Sequence, residues 1–271
     1  MQGNQALWEQ GDFTRIAPSL RESGRALVES LGIVKGLDVL DLGCGDGTTA
    51  VPAAELGANV LGVDIARYLV EAGNARVKQR GLTNCRFEVG DASDLHGIKS
   101  QSFDLVISVF GAMFAPRPFD VAGEMVRVTR PGGRIVMGNW IPGDPTLVSE
   151  LLRICSLYLP PPPDDSVSPM LWGVEAEVTE RFRRAGVLDD RISCQRETYA
   201  LIYPGTPQQY LQEFRFFYAP TMNAYRAAAA TGKEVDLHHE LEDLFLAHNL
   251  SESEDSTLIR AGFLKVVVEV C

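Results

Sequence analysis

Between residues 38 and 140, short runs of branched apolar residues alternate with longer stretches whose apolar positions recur at the spacing of a helix face. Val39, Leu40 and Leu42 make the first run. Residues 59–65, 85–91 and 103–111 make the next three, and 130–140 reads as a turn followed by a fifth. Each is short and bounded by Gly, Asn, Asp or Pro, which predicts buried parallel strands. The stretches between them predict helices over 48–56, 67–80 and 119–129, closed by Gly57, Gly81 and the Pro131-Gly132-Gly133 turn. Residues 91–102 are polar apart from Leu95 and Ile98 and predict a loop. Strands alternating with helices in this way imply a parallel sheet with helices on both faces.

The flanks follow a different rhythm. Residues 4–31 carry apolar positions from Leu7 and Trp8 through Phe13, Ile16 and Leu20 to Leu31, with Pro18 dividing any single helix in two. Residues 1–36 are therefore expected to form a helical segment across the sheet edge, and 37–271 the main domain. After Trp140, residues 147–159 and 174–185 read as helices, separated by the stiff proline run 160–163. Residues 191–203 and 263–270 read as two further strands. Between these lies 207–248, rich in aromatics and long enough for two or three helices, a cap insertion at about 205–250. Tyr210, Phe214 and Phe217 share one helix face there, which predicts docking on the body.

The chemistry concentrates in V-L-D-L-G-C-G-D-G-T-T, residues 39–49. Gly43, Gly45 and Gly47 form a turn between a strand and a helix N-terminus, a place where backbone can touch a cofactor. Thr48 stands where a dinucleotide fingerprint would require its third glycine. Asp64, twenty-one residues after Gly43, ends the neighbouring strand, where a ribose diol finds its acceptor. Asp91 closes the third run. These five motifs, in this order over about residues 35–145, resemble the class I S-adenosylmethionine-dependent methyltransferases, nearest in style to the ubiquinone and menaquinone C-methyltransferase-like group.

The resemblance implies a Rossmann-like, doubly wound α/β fold of seven strands, mostly parallel, with an antiparallel last strand inserted between its neighbours and a helical cap insertion. It implies S-adenosylmethionine as cofactor. The methionine end would meet exposed amides of Gly43, Cys44 and Gly45, with Asp41 near the amine. Asp64 would accept the ribose hydroxyls, Ile65 would pack on adenine, Asp91 and the amide of Ala92 would bond its edge, and Val109 and Phe110 would cover its other face. Trp8, Phe13 and Ile16 become lid residues, and Trp8, Phe13, Asn139, Trp140 and Tyr218 candidates for the acceptor pocket. His96, in the loop after the third strand, is the candidate proton acceptor for an acceptor that needs one. His238, His239 and His248 belong to a charged helix face and are expected in solvent. The activity implied is methylation of a small apolar or aromatic molecule. The alternatives are a non-catalytic protein binding S-adenosylmethionine or S-adenosylhomocysteine, and an NAD-dependent oxidoreductase, against which Thr48 and Asp91 both speak.

Composition narrows the partners. A formal charge of −11 over 271 residues argues against a nucleic-acid backbone as ligand. No apolar run approaches a membrane span and no basic leader precedes an apolar stretch, so a cytoplasmic protein without membrane contact is expected. The five cysteines, odd in number and without a C-x-x-C pair, predict reduced and mostly buried thiols and no metal site. The proline run and the aromatic insertion offer surfaces for a homodimer.

Overall fold

The five predicted runs form β1 (Asp38–Leu42), β2 (Asn59–Asp64), β3 (Cys85–Val89), β4 (Phe103–Val109) and β5 (Thr129–Trp140). With β6 (Ile192–Tyr203) and β7 (Thr257–Glu269) they hydrogen-bond into one sheet of order β3-β2-β1-β4-β5-β7-β6. The structure is a computed structural model that describes residues 2–163 and 166–271, with side chains from Asn4 onward. Met1, the first residue of the expected 1–36 segment, lies outside the described residues.

The centre of the sheet is buried on both faces, which is why its strands read as continuous apolar runs. Val39, Leu40 and Leu42 of β1 lie beside Leu105, Val106 and Ile107 of β4, all inaccessible or nearly so. From β1 the chain winds outward through β2 and β3, then crosses back to β4 and β5 on the other side. That reversal leaves a crevice at the carboxyl ends of β1 and β4, the usual ligand position of such sheets. β7 runs antiparallel to both β5 and β6, so six strands share one direction and the last opposes them. It begins six residues before the predicted strand. Thr257, Ile259 and Ala261 point inward while Arg260 points out, an alternation too polar to read as a buried run.

The helices are α1 (Gln2–Trp8), α2 (Arg21–Glu29), α3 (Ala50–Glu55), α4 (Arg67–Gln79), α5 (Pro118–Val128), α6 (Leu147–Tyr158), α7 (Glu175–Arg184), α8 (Pro207–Phe217), α9 (Ala219–Ala230) and α10 (Glu234–Ala247). Pro18 sits inside a short 3-10 segment, Ala17–Leu20, and not at a junction of two long helices. α8 starts on a reciprocal cap in which Thr206 and Gln209 bond each other's backbone. Tyr210 and Phe214 pack against Phe245 of α10, with ring centroids 5.7 and 5.3 Å apart, and so join the cap helices to one another. Phe217 departs from the expected docking face: it is half-buried, with the Arg15 guanidinium 5.0 Å from its ring. All five cysteines are free thiols. No described helix is long and apolar enough to cross a membrane.

Candidate functional site

A cavity of about 1220 Å3, open mouth included, lies where the sheet order reverses. Its first half is made by the glycine turn and the strand-end acids. Gly43 takes φ +69° and Gly45 φ +54°, left-handed values that glycine alone adopts freely. The tips of β1 and β4 also touch here: a Cβ on Gly43 would lie 2.7 Å from the backbone of Gly111, and one on Gly111 would overlap the Gly43 carbonyl. Ser108 braces the same junction, donating to the Leu42 carbonyl at 2.6 Å and accepting the Ala112 amide at 3.0 Å.

Asp64 faces this half and is held in place by backbone. Its Oδ2 accepts the Gly45 amide at 2.8 Å and its Oδ1 the Ala66 amide at 2.9 Å. Burial raises its pKa, while those amides and that of Ile65 pull the other way. Asp91 lies two residues beyond the end of β3, not on the strand as expected. Its Oδ1 accepts the Ser93 amide and hydroxyl, both at 2.8 Å, and its Oδ2 lies 3.8 Å from Arg117. Asp46 lines the cavity too, but its carboxylate is bridged to Arg21 at 2.7 Å and Arg76 at 3.1 Å.

The second half is aromatic. Phe110 carries φ +59°, unusual for a bulky residue, and its amide donates to the Gly138 carbonyl at 2.8 Å. Its ring stacks on Trp140 with centroids 3.6 Å apart and meets Tyr199 edge-on at 5.0 Å. Trp8 closes the opposite wall against Phe114 at 5.0 Å and Tyr218 at 6.2 Å. The N-terminal segment is fastened there: the Asp12 amide donates to the Phe217 carbonyl at 3.1 Å, and the Phe13 amide to the Tyr68 hydroxyl at 3.0 Å. Among the described residues, no lysine, arginine or histidine lines the cavity.

Most of the residues singled out in the sequence meet at this cavity. Gly43, Cys44, Gly45, Asp64, Ile65, Asp91, Ala92, Val109, Phe110, Trp8, Phe13, Ile16, Trp140 and Tyr218 all line it. Several expectations change. The amides of Gly43 and Cys44 are not free, because both donate to the Val63 carbonyl, and that of Gly45 is taken by Asp64. Asp41 is fully buried beneath the turn and outside the lining. Thr49 donates to its Oδ2 at 2.5 Å, its Oδ1 has no partner among the described residues, and burial pushes its pKa up to about 7. Phe110 lines the cavity as expected of it, with its ring stacked on Trp140 of β5 and edge-on to Tyr199 of β6. Asn139 alternates with Trp140 along β5, so it faces the other side of the sheet, buried and unpartnered among the described residues. His96 is 86% exposed, bonded to Asp94 at 3.0 Å, and lies outside the cavity lining. His238 is half-buried and bonded to the Tyr225 hydroxyl at 2.8 Å, so it does not share the solvent face expected of it.

Sequence reasoning missed Tyr199, Leu201 and Phe114. The alternation of Tyr199 with Leu201 on β6 was a signal that they share a face, but which sheet position β6 takes is not written locally.

A family profile described as a methyltransferase domain matches residues 40–137. The chain is 34% identical over 227 residues to the uncharacterised protein Rv1403c of Mycobacterium tuberculosis, covering 82% of this chain and 79% of that one. It is 34% identical over 116 residues to a demethylmenaquinone methyltransferase of Renibacterium salmoninarum, 43% of this chain and 46% of the other. The crystal structure of the YcgJ protein from Bacillus subtilis superposes with a TM-score of 0.59 at 18% identity, over 92% of this chain and 99% of that one, a likeness of fold. The matched profile spans β1 to β5, the strands that build the crevice, and the relatedness to Rv1403c extends over most of both chains; this protein carries a methyltransferase domain at residues 40–137 and belongs to the same family as Rv1403c.

Proposed function

We propose that the protein is an S-adenosylmethionine-dependent methyltransferase acting on a small, uncharged, apolar or aromatic molecule. One observation carries this reading: a single cavity combines a half of glycine backbone and fixed carboxylates with a half of aromatic side chains that bears no cation. The first half fits the cofactor. Asp64 accepts two amides and lines the cavity, which suits a ribose diol, and the glycine turn lets backbone at Gly43 and Gly45 line the cavity directly. Asp91 suits the adenine amino group. Asp41 acts at one remove, as a carboxylate beneath the turn that favours a cationic ligand above it.

S-adenosylmethionine, when bound, supplies an electrophilic methyl group on sulfur. The residues of this chain need only align the acceptor, exclude water and leave its proton a way out. Trp8, Phe13 and Ile16 cover the mouth, which supports the lid role of the N-terminal segment. No histidine or lysine lines the cavity among the described residues, so an acceptor that is nucleophilic without a strong base, such as a phenol or an enol, fits best. A carboxylate or phosphate on the acceptor would be buried without a counter-charge, at a cost of several kcal/mol. The similarity to a demethylmenaquinone methyltransferase covers less than half of either chain, too little to carry a quinone acceptor across.

Calorimetric titration with S-adenosylmethionine, S-adenosylhomocysteine and NAD tests the reading. Saturable binding of both sulfur nucleosides without heat from NAD is the expected result. Binding of NAD alone, or of none of the three, overturns it.

A further inference from the structure

Of the seven tyrosines in the chain, six place their hydroxyls on a partner. Tyr68 accepts the Phe13 amide, Tyr158 donates to Glu240, Tyr199 to the Leu20 carbonyl and Tyr203 to Glu213, while Tyr210 bonds Ser19 and Tyr225 bonds His238. Tyr218 is the exception: although only 6% exposed, its hydroxyl has no partner among the described residues. Nor is that oxygen sealed in the packing, as Asp41 Oδ1 and the Asn139 amide are. Tyr218 lines the cavity, so the open side of its hydroxyl is the cavity. The indole nitrogen of Trp140 is likewise unpartnered among the described residues and unsealed, on a residue 4% exposed that lines another part of the same cavity.

A buried hydroxyl without a partner forfeits a hydrogen bond that a ligand can restore. We propose that the Tyr218 hydroxyl holds the oxygen of an uncharged hydroxylated aromatic acceptor. This assignment rests on the methyltransferase reading above and names the acceptor's class within it. The ring of Tyr218 is fixed by edge contact with Phe214 at 5.3 Å and by tilted contacts with Trp8 and Phe13, both at 6.2 Å, so its hydroxyl direction is set before a ligand arrives. Burial raises its pKa above the usual tyrosine value, which keeps it neutral and able to donate. The apolar walls match an aromatic ring, the Tyr218 hydroxyl matches its oxygen, and with no lining cation among the described residues a phenolic acid or a phosphate ester would be buried without a counter-charge.

The test uses the full chain saturated with S-adenosylhomocysteine and three probes, 2-naphthol, naphthalene and 2-naphthoate, followed by tryptophan quenching and calorimetry. Naphthol is expected to bind about tenfold tighter than naphthalene, the equivalent of one net hydrogen bond, with naphthoate weakest. Tyr218→Phe should bring naphthol to the naphthalene level while leaving naphthalene, S-adenosylhomocysteine and the melting temperature unchanged. Equal affinity for naphthol and naphthalene overturns the proposal, as does failure of both to bind, or a Tyr218→Phe variant that weakens both alike or neither. Failure of S-adenosylhomocysteine to bind overturns the cofactor reading instead, and the naphthol comparison run without it still decides the role of Tyr218.

Discussion

The two halves of the cavity are built by different means. The half proposed for the cofactor is backbone: a turn with two left-handed glycines, two strand tips in contact, and an aspartate whose oxygens are fixed by the amides of Gly45 and Ala66. The half proposed for the acceptor is side chain: Trp8, Phe114, Trp140, Tyr199 and Tyr218 come from separate parts of the chain and meet only in the folded protein. Backbone constraints tolerate almost no substitution because a single Cβ displaces a strand tip. Aromatic walls tolerate exchange at the cost of shape, which lets one scaffold accept different molecules.

The contrast can be broken most severely at the strand tips. Gly111→Val should part β1 from β4, lowering stability by roughly 3 kcal/mol or more and abolishing S-adenosylhomocysteine binding, since overpacking here meets backbone and not a movable side chain. Thermal melts and calorimetry read both effects. Next comes Asp64→Ala, which removes two ribose bonds of about 1.5 to 3 kcal/mol each and should cost at least a hundredfold in cofactor affinity. Naphthalene binding should not change in that variant. Unaltered cofactor affinity in a folded Asp64→Ala protein rejects the ribose assignment; an equal loss for naphthalene rejects the independence of the halves.

This division also explains what could be read in advance. The glycine turn, Asp64 and the five-strand rhythm are local patterns, so β1 to β5 and nearly the whole cofactor half follow from neighbouring residues. Whether the turn's amides are free was not legible, because it depends on the Val63 carbonyl arriving from β2. That Phe110 stacks on Trp140 was not legible either, because it depends on β5 lying beside β4. Asn139 and Trp140 were equal candidates until the register of β5 separated their faces. His96 drew attention by its chemistry, and a loop without tertiary contacts from its side chain left it in solvent. Of the aromatic half, Trp8, Trp140 and Tyr218 were candidates from the sequence while Phe114 and Tyr199 were not, since their meeting depends on tertiary packing.

Asp41 offers the smallest and most diagnostic effect, because it belongs to the cofactor half without touching the cavity. Burial lifts its pKa from 3.8 to about 7, against the opposing bonds from Thr49 and the Ala50 amide. Below about pH 4 the carboxyl is protonated in both folded and unfolded chains and contributes no pH dependence. Between about pH 4 and 7 the folded protein keeps a proton that the unfolded chain has released, so stability falls as pH rises. Above 7 the full penalty stands, at most about 4 kcal/mol. Asp41→Asn keeps an oxygen for the Thr49 hydroxyl and removes the charge. It should therefore melt higher than the unmodified protein at pH 8 and no higher at pH 4. A cationic ligand above the turn stabilises the ionised carboxylate, so cofactor binding to the unmodified protein should tighten and release a proton as pH passes through 7. In Asp41→Asn binding should be weaker and lose that dependence. Calorimetry in two buffers of different ionisation enthalpy counts the proton. A melting difference that is the same at pH 4 and pH 8 would show that Asp41 titrates as an ordinary carboxylate, and that the turn carries no buried charge to offer its ligand.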